Sequence, residues 1–466
     1  MGLVESAVDD ALYFGVLLAL FLRWCISLYP YSGAGKPPMF GDYEAQRHWM
    51  EITVNLPVED WYKNTTKNDL LYWGLDYPPL TAYHSLLCGY VAKWINSSWT
   101  ELFWSRGLET YHHKLFMRAT VAVADILVYF PPVILYWIFC KHPSRPRDKA
   151  ICATLMLLVP GLILIDHGHF QYNCVSLGLT LWAILFLSQG YDLLGAAFFV
   201  FALNYKHMEL YHALPFFCYL LGTCNRKKFL EGILKVLLLG AVVIGTTALC
   251  WAPFLTKLDT SLQVLRRLFP FDRGLYEDKV ANFWCALSVA VKLKSRFSIP
   301  SLAYISGFTT MIAMIPSSLH LLARPTLQGF KISSLFPLLL KDGLVIPFFC
   351  LLLLYLVIVF KAYGHMSLGF RDGWKQRVKT LMFVFSVTGC GILTVVHLAV
   401  APPSRYPDLH PVLNCLYSFS HYLMFTVYFH KLQFCATDES ITAKEQFTKL
   451  KIFPSSCSSK TKLKVE

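Results

Sequence analysis

Apolar runs at 11–29, 115–140, 150–165, 173–189, 191–203, 208–222, 232–256, 298–322, 345–360, 380–400 and 409–430 recur through this chain and constrain its fold more than any motif does. A helix needs about 20 residues to cross the hydrocarbon core of a bilayer, and a helix satisfies its own backbone hydrogen bonds where no water is present. The runs therefore predict an all-α polytopic membrane protein with roughly eleven spans, the shorter ones tilted or half-crossing. Composition agrees: 55% of the 466 residues are hydrophobic and only 15% charged, with mean hydropathy +0.46, too apolar for a soluble globular domain.

Charge sets the expected orientation. The net charge is +13, concentrated in short loops such as Lys141 to Lys149, Asn225 to Lys228 and Lys361 to Lys379, where the positive-inside rule is read, so nucleic-acid binding is not expected. A cytosolic N-terminus puts 30–114, 166–172 and 257–297 outside and 141–149 and 223–231 inside. Glu5, Asp9 and Asp10 precede the first apolar run, so that run is expected to stay as a helix. The 14 cysteines are scattered without C-x-x-C spacing and read as small buried hydrophobes. Asn64-Thr65-Thr66 and Asn96-Ser97-Ser98 are formal glycosylation sequons on the outer side. The stretch 78–96, interrupted by Pro78, Pro79, His84 and Lys93, fits a helix lying along the membrane. A cytosolic tail, 433–466, ends in Lys462-Leu463-Lys464-Val465-Glu466, a dilysine-type retrieval pattern.

The topology breaks down after Lys331. Ser333 to Leu340 is only eight residues long before Lys341-Asp342-Gly343, well under the ~20 a span requires. If it does not cross, the basic loop 361–379 and the lysine-rich tail fall on the wrong side.

Polar residues converge on the outer face. Pro37 to Trp49 carries Asp42, Glu44, Arg47 and His48; Tyr72 to His84 carries Asp76. Carboxylates framed by aromatics and cations beside a bilayer suit a transferase that must deprotonate a sugar hydroxyl. Gly41 permits a tight turn before Asp42, and burial beside Tyr43 and Trp49 would raise its pKa; the alternative is an N-cap for a helix through Met50. Asp76, ahead of Tyr77-Pro78-Pro79, reads equally as a turn or Asx cap. Asp166-His167-Gly168-His169-Phe170-Gln171-Tyr172-Asn173 fits a substrate-contact loop, a metal site, or satisfied polar residues at a helix end. Arg266, Arg267 and Arg273 place three guanidiniums within eight residues, suited to a phosphate, to lipid headgroups or to pairing with Asp272, Glu277 and Asp278.

The segments Tyr31 to Trp49, Tyr72 to His84, Gly161 to Asn173, Asn204 to Pro215 and Leu265 to Cys285 closely resemble the dolichyl-phosphate-glucose glucosyltransferases of the endoplasmic reticulum. The resemblance covers 22–331 and resumes over about 337–430, and Gln46-Arg47-His48 after Asp42-Tyr43-Glu44-Ala45 favours the member that acts first on the lipid-linked oligosaccharide. It implies a C-type glycosyltransferase architecture: an all-helical module over 1–331, lumenal loops 30–114 and 257–297 built on interfacial helices, and an active site at the lumenal membrane surface of the endoplasmic reticulum. It further implies inverting α-1,3 transfer of glucose from dolichyl phosphate glucose to a high-mannose lipid-linked acceptor, with no cofactor and no metal. By the same resemblance Asp42 is the general base. Substrate contacts are expected from Asp76, Glu44, Arg47, His48, His167, His169, Gln171, Arg266 and Arg273.

One departure from the family is large. Members carry a span leading to a lumenal His-Glu-Lys motif, then further helices, where this chain joins Gly329-Phe330-Lys331 almost directly to Phe336 to Lys341. Roughly two and a half helices are absent, at ~20 residues per span, so that 332–432 forms C-terminal helices after an internal deletion. An isoform or incomplete gene model with low or no activity is the first alternative; a lipid or sugar transporter and a non-catalytic assembly partner are the others.

Overall fold

The computed structural model describes residues 2–140, 145–269, 284, 287, 291–325 and 373–434, and every apolar run read from the sequence except 345–360 lies on a helix. That run, the junction after Lys331 and the chain from 435 onward lie outside the described residues. Helix α1 (Gly2–Ser27) leads into a long loop carrying α2 (Gly41–Asn55) and α3 (Pro79–Ile95). The next crossing runs through α4 (Tyr111–Ala124), a π-helical turn (Asp125–Tyr129) and α5 (Phe130–Phe139). The π turn stands immediately before Pro131 and Pro132, whose rings would clash with carbonyls one turn back in a regular helix.

The following crossing is broken in the same way. After α6 (Pro146–Leu157), Pro160 opens the short α7 (Pro160–Ile163), and a second π turn covers Leu164–Phe170. Helices α8 (Asn173–Ser188) and α9 (Asp192–Tyr205) form an antiparallel hairpin, followed by α10 (Leu210–Asn225), α11 (Phe229–Trp251) and the amphipathic α12 (Leu258–Leu268). Three more helices are α13 (Ile299–Ala323), α14 (Gly373–Ala399) and α15 (Leu409–Phe434). Among the described residues, five helical stretches are long and apolar enough to cross a membrane: Asp10–Ser27, Tyr111–Phe139, Pro146–Phe170, Phe229–Phe254 and Thr380–His397. The apolar helices α8 and α9 are shorter.

The segment between α1 and α4 folds across one end of this bundle. The stretch 78–96, read from the sequence as an interfacial helix, is helical as α3. One face (Ala82, Ser85, Cys88, Gly89, Ala92) is buried and the other bares Leu87, Tyr90, Val91, Trp94 and Ile95, a distribution that suits a helix lying on lipid. Direct bonds tie the loop down: Ser32 N–H donates to His169 O at 3.3 Å, the Tyr83 hydroxyl to Cys250 O at 2.8 Å, and the Lys257 ammonium to Glu59 at 3.0 Å. Trp49, Ile52, Leu56, Trp61 and Leu75 form a common core with Phe254, Val264 and Leu268, fastening α2 to α12.

The entry into α2 depends on one backbone contact. Gly41 has φ +70°, and a Cβ there would lie 2.3 Å from the Ser32 carbonyl oxygen, a backbone atom that cannot swing away. Gly41→Ala is expected to cost at least about 1–2 kcal/mol from the left-handed backbone alone, with the collision in addition. A thermal-unfolding midpoint of the detergent-purified chain, lower than wild type by several degrees, would register it.

Candidate active site

Asp42 stands in the first turn of α2, and its carboxylate turns away from its own helix. Its Oδ2 accepts from His169 Nε2 at 2.9 Å and from Gln171 Nε2 at 2.7 Å. The N-cap position belongs to Phe40, which makes no side-chain cap bond, so the capping alternative for Asp42 does not hold. Among the described residues, Asp42 Oδ1 takes no hydrogen bond, and the side chain is 30% exposed. The arrangement leaves one carboxylate oxygen anchored and the other able to accept a proton from an incoming hydroxyl.

The acidity of Asp42 runs opposite to the sequence expectation. Burial does push its carboxyl up, but hydrogen bonds from His169 and Gln171, with the charges of His169 and Lys206, outweigh it and hold the carboxyl below its ordinary value of 3.8. The aromatic neighbours expected to desolvate it are occupied elsewhere: Tyr43 bonds His113 Nδ1 at 2.9 Å and stacks on Tyr31, while the Trp49 indole donates to Trp73 O.

Behind Asp42 the polar chain continues. Gln171 Oε1 accepts from Asn173 Nδ2 at 3.0 Å and from Lys206 Nζ at 3.3 Å, and the same ammonium bonds Asn173 Oδ1 and sits 4.9 Å from the centre of the Tyr77 ring. Lys206 is 4% exposed. It stands just past the end of α9, and only the fold brings it to Gln171.

The other residues expected to contact substrate take different places. Glu44, Arg47 and His48 are buried against one another. Arg47 donates to Glu44 through Nε (2.8 Å) and Nη2 (2.6 Å), to Glu51 (2.6 Å) and to the Ser105 hydroxyl, while His48 Nδ1 lies 3.3 Å from Glu51. Tyr72 also donates to Glu44 at 2.8 Å. The side chains of Glu44, Arg47, His48 and Glu51 are at most 1% exposed and brace the loop. Glu51 was missed, although its four-residue spacing from Arg47 is the signature of a helical ion pair.

Asp166, His167 and His169 diverge. Asp166 receives the backbone N–H groups of Asn173 (3.0 Å) and Cys174 (2.7 Å), capping α8, as the helix-end alternative has it. His167 Nε2 turns into the bundle to Asp125 at 2.8 Å, and only His169 reaches Asp42. The π turn fans three nearby side chains toward three partners, and among the described residues the motif gathers no convergent set of metal ligands. Asp76 is half-buried in the irregular stretch before α3, whose cap position is Pro78. It neighbours Tyr77, whose carbonyl accepts from Tyr62 and whose ring packs on Trp49. Arg266 is exposed on the last turn of α12. Its neighbour Arg267 turns inward and donates to Gly74 O (2.8 Å) and Leu75 O (3.2 Å), securing the backbone just before Asp76. Arg273 lies outside the described residues.

The fold is that of a helical membrane protein, with a half-open carboxylate in the loop that folds across one end of the bundle. A family model described as the ALG6, ALG8 glycosyltransferase family matches residues 19–333 and 311–428. Similar proteins include the dolichyl pyrophosphate Man9GlcNAc2 alpha-1,3-glucosyltransferases of Gallus gallus, 47% identical, and Mus musculus, 44% identical, each alignment taking in 89% of this chain and 95% of the relative. The probable enzyme of that name from Dictyostelium discoideum is 40% identical over 89% of this chain and 93% of the relative. The chain belongs to the ALG6, ALG8 glycosyltransferase family, membrane glycosyltransferases of the C-type architecture.

Proposed function

We propose that this chain transfers glucose in α-1,3 linkage from dolichyl phosphate glucose to the terminal mannose of a dolichyl-pyrophosphate-linked high-mannose oligosaccharide at the lumenal surface of the endoplasmic reticulum. The observation that carries the mechanism is the carboxylate of Asp42, anchored through Oδ2 and open at Oδ1. Asp42 takes the proton from the acceptor hydroxyl as that oxygen attacks the anomeric carbon and inverts it, and dolichyl phosphate leaves. His169 and Gln171 orient the carboxylate, and Lys206 braces Gln171. The assay uses microsomes lacking the endogenous enzyme, supplied with dolichyl phosphate glucose and the unglucosylated lipid-linked acceptor. Transfer that proceeds equally well from a soluble nucleotide sugar would overturn the donor assignment.

The depressed pKa of Asp42 gives this assay a pH signature. Because the carboxyl is held below 3.8, the carboxylate persists as pH falls through the range where an ordinary buried acid would protonate, and activity is expected to hold down to about pH 5. His169→Ala combined with Gln171→Leu removes the donors and leaves the burial, so the carboxyl rises and the acid limb of kcat/KM moves to higher pH. An acid limb that stays in place would refute the assignment of these two residues.

A second reading is a catalytically impaired product of the same gene. An alignment of 481 positions that takes in 89% of a 466-residue chain contains positions where this chain has no residue, and the family model matches in two pieces. If the segment missing beyond Lys331 carries donor-binding groups, the chain as written transfers little glucose and regains activity when the segment is restored. Full transfer by the unmodified chain would refute this reading.

A further inference from the structure

Three crossings meet at one buried carboxylate. Asp125, in the π turn between α4 and α5, pairs through Oδ2 with Arg23 Nε of α1 and accepts from His167 Nε2 of the second π turn at 2.8 Å. All three side chains are 1–3% exposed. Arg23 also donates to Leu157 O at 2.7 Å, at the end of α6 just before the chain breaks toward Pro160. From the other side, Arg118 of α4 donates to His167 O and to Tyr29 O (3.0 Å), clasping the same π turn. His167 and His169 share that turn; one is held in the bundle, the other is on Asp42.

Packing alone does not call for such a group. Replacing a buried ion pair by well-packed apolar side chains is often neutral or stabilising, whereas a charged network sets one geometry among competing ones. Here the geometry at stake is the register of a π turn, a helical irregularity frequently found at functional sites. We propose that Asp125, gripped by Arg23 and His167, is a positioning residue that locks the Leu164–Phe170 turn so that His169 and Gln171 reach the Asp42 carboxylate. Its catalytic meaning rests on Asp42 acting as the base; the coupling between Asp125 and His169 does not. The groups facing Asp125 are Arg23 from α1 and His167 and Asp166 from the second π turn, and those facing Asp42 are His169, Gln171 and Lys206.

Diethyl pyrocarbonate modification of individual histidines, read by mass spectrometry on the full chain in lipid nanodiscs, tests this without needing turnover. His112 is exposed and His113 buried on α4, so they serve as fast and slow references. In the wild type His169 reacts slowly because its ring, held against Asp42, is only 15% exposed. Asp125→Asn is expected to speed its modification by about tenfold, the scale of one hydrogen bond to a charged group, with His113 unchanged. Asp42→Asn should speed it comparably, and the double variant no further. Unchanged His169 reactivity in Asp125→Asn, multiplicative effects in the double variant, or a parallel rise at His113 would each overturn the proposal. If Asp125→Asn does not accumulate in membranes, His167→Gln provides the same reading. Failure of the base assignment is seen separately, as glucosyl transfer that survives Asp42→Asn while the labelling pattern holds.

Discussion

Asp42→Asn is expected to lower glucosyl transfer by about 10²–10⁴-fold with the protein intact in the membrane, the contribution of a positioned general base. The substitution is nearly isosteric and its amide oxygen can still accept from Gln171, so α2 keeps its place while the bond to His169 is given up. What is lost is the basic oxygen that accepts the acceptor's proton. KM for both lipid substrates should change little, because the effect falls on the transition state. The measurement is single-turnover transfer in microsomes lacking the endogenous enzyme, normalised to the amount of chain. The reference is the most active form of the chain, with the missing segment restored if the unmodified chain transfers too little to follow. Transfer within a few-fold of that reference would remove Asp42 from the mechanism, and the open Oδ1 would then need another explanation.

The second large effect is on folding. Arg47→Leu removes the cation that pairs Glu44 and Glu51, both essentially excluded from solvent. Burial pushes the Glu51 carboxyl up, but His48 and Arg47 outweigh it and hold it down to about 2, so without Arg47 two buried carboxylates face each other with only His48 and neutral donors beside them. Breaking a buried pair from one side typically costs ~3–5 kcal/mol, enough to unseat α2 and, with it, Asp42. The variant should lose glucosyl transfer together with a cooperative unfolding transition in detergent, in contrast to Asp42→Asn, which keeps the transition. Arg47→Leu with Glu44→Gln and Glu51→Gln should recover part of the stability, since the uncompensated charges are gone. Recovery of nothing would mean that Arg47 acts through its bond to Ser105 instead of through charge.

The two variants separate what could be read in the sequence from what could not. Asp42 stood out in the sequence through the family resemblance, since Gly41 and the local spacing alone fitted a helix cap as well as a base. Glu44, Arg47 and His48 share that loop and looked equally available. They turn inward because three- and four-residue spacing puts them on one helical face with Glu51, where they satisfy one another. Asp125 went unnoticed although a lone carboxylate within an apolar run is costly unless paired; its partners come from crossings 102 and 42 residues away in the chain. Arg266 and Arg267 are neighbours, and nothing local tells which one turns toward Gly74.

The sequence by itself determined the class: helices of membrane length, an interfacial loop, and a carboxylate at its head, because hydrophobic length and backbone satisfaction in lipid leave little choice. Tertiary structure alone decided which polar residues serve Asp42. Two π turns set the direction of His167 and His169, and the closing of the loop over the bundle put His169, Gln171 and Lys206 behind one oxygen while leaving the other open. Side-chain direction in an irregular helix depends on the partners the rest of the chain supplies, and those are settled only when the helices pack.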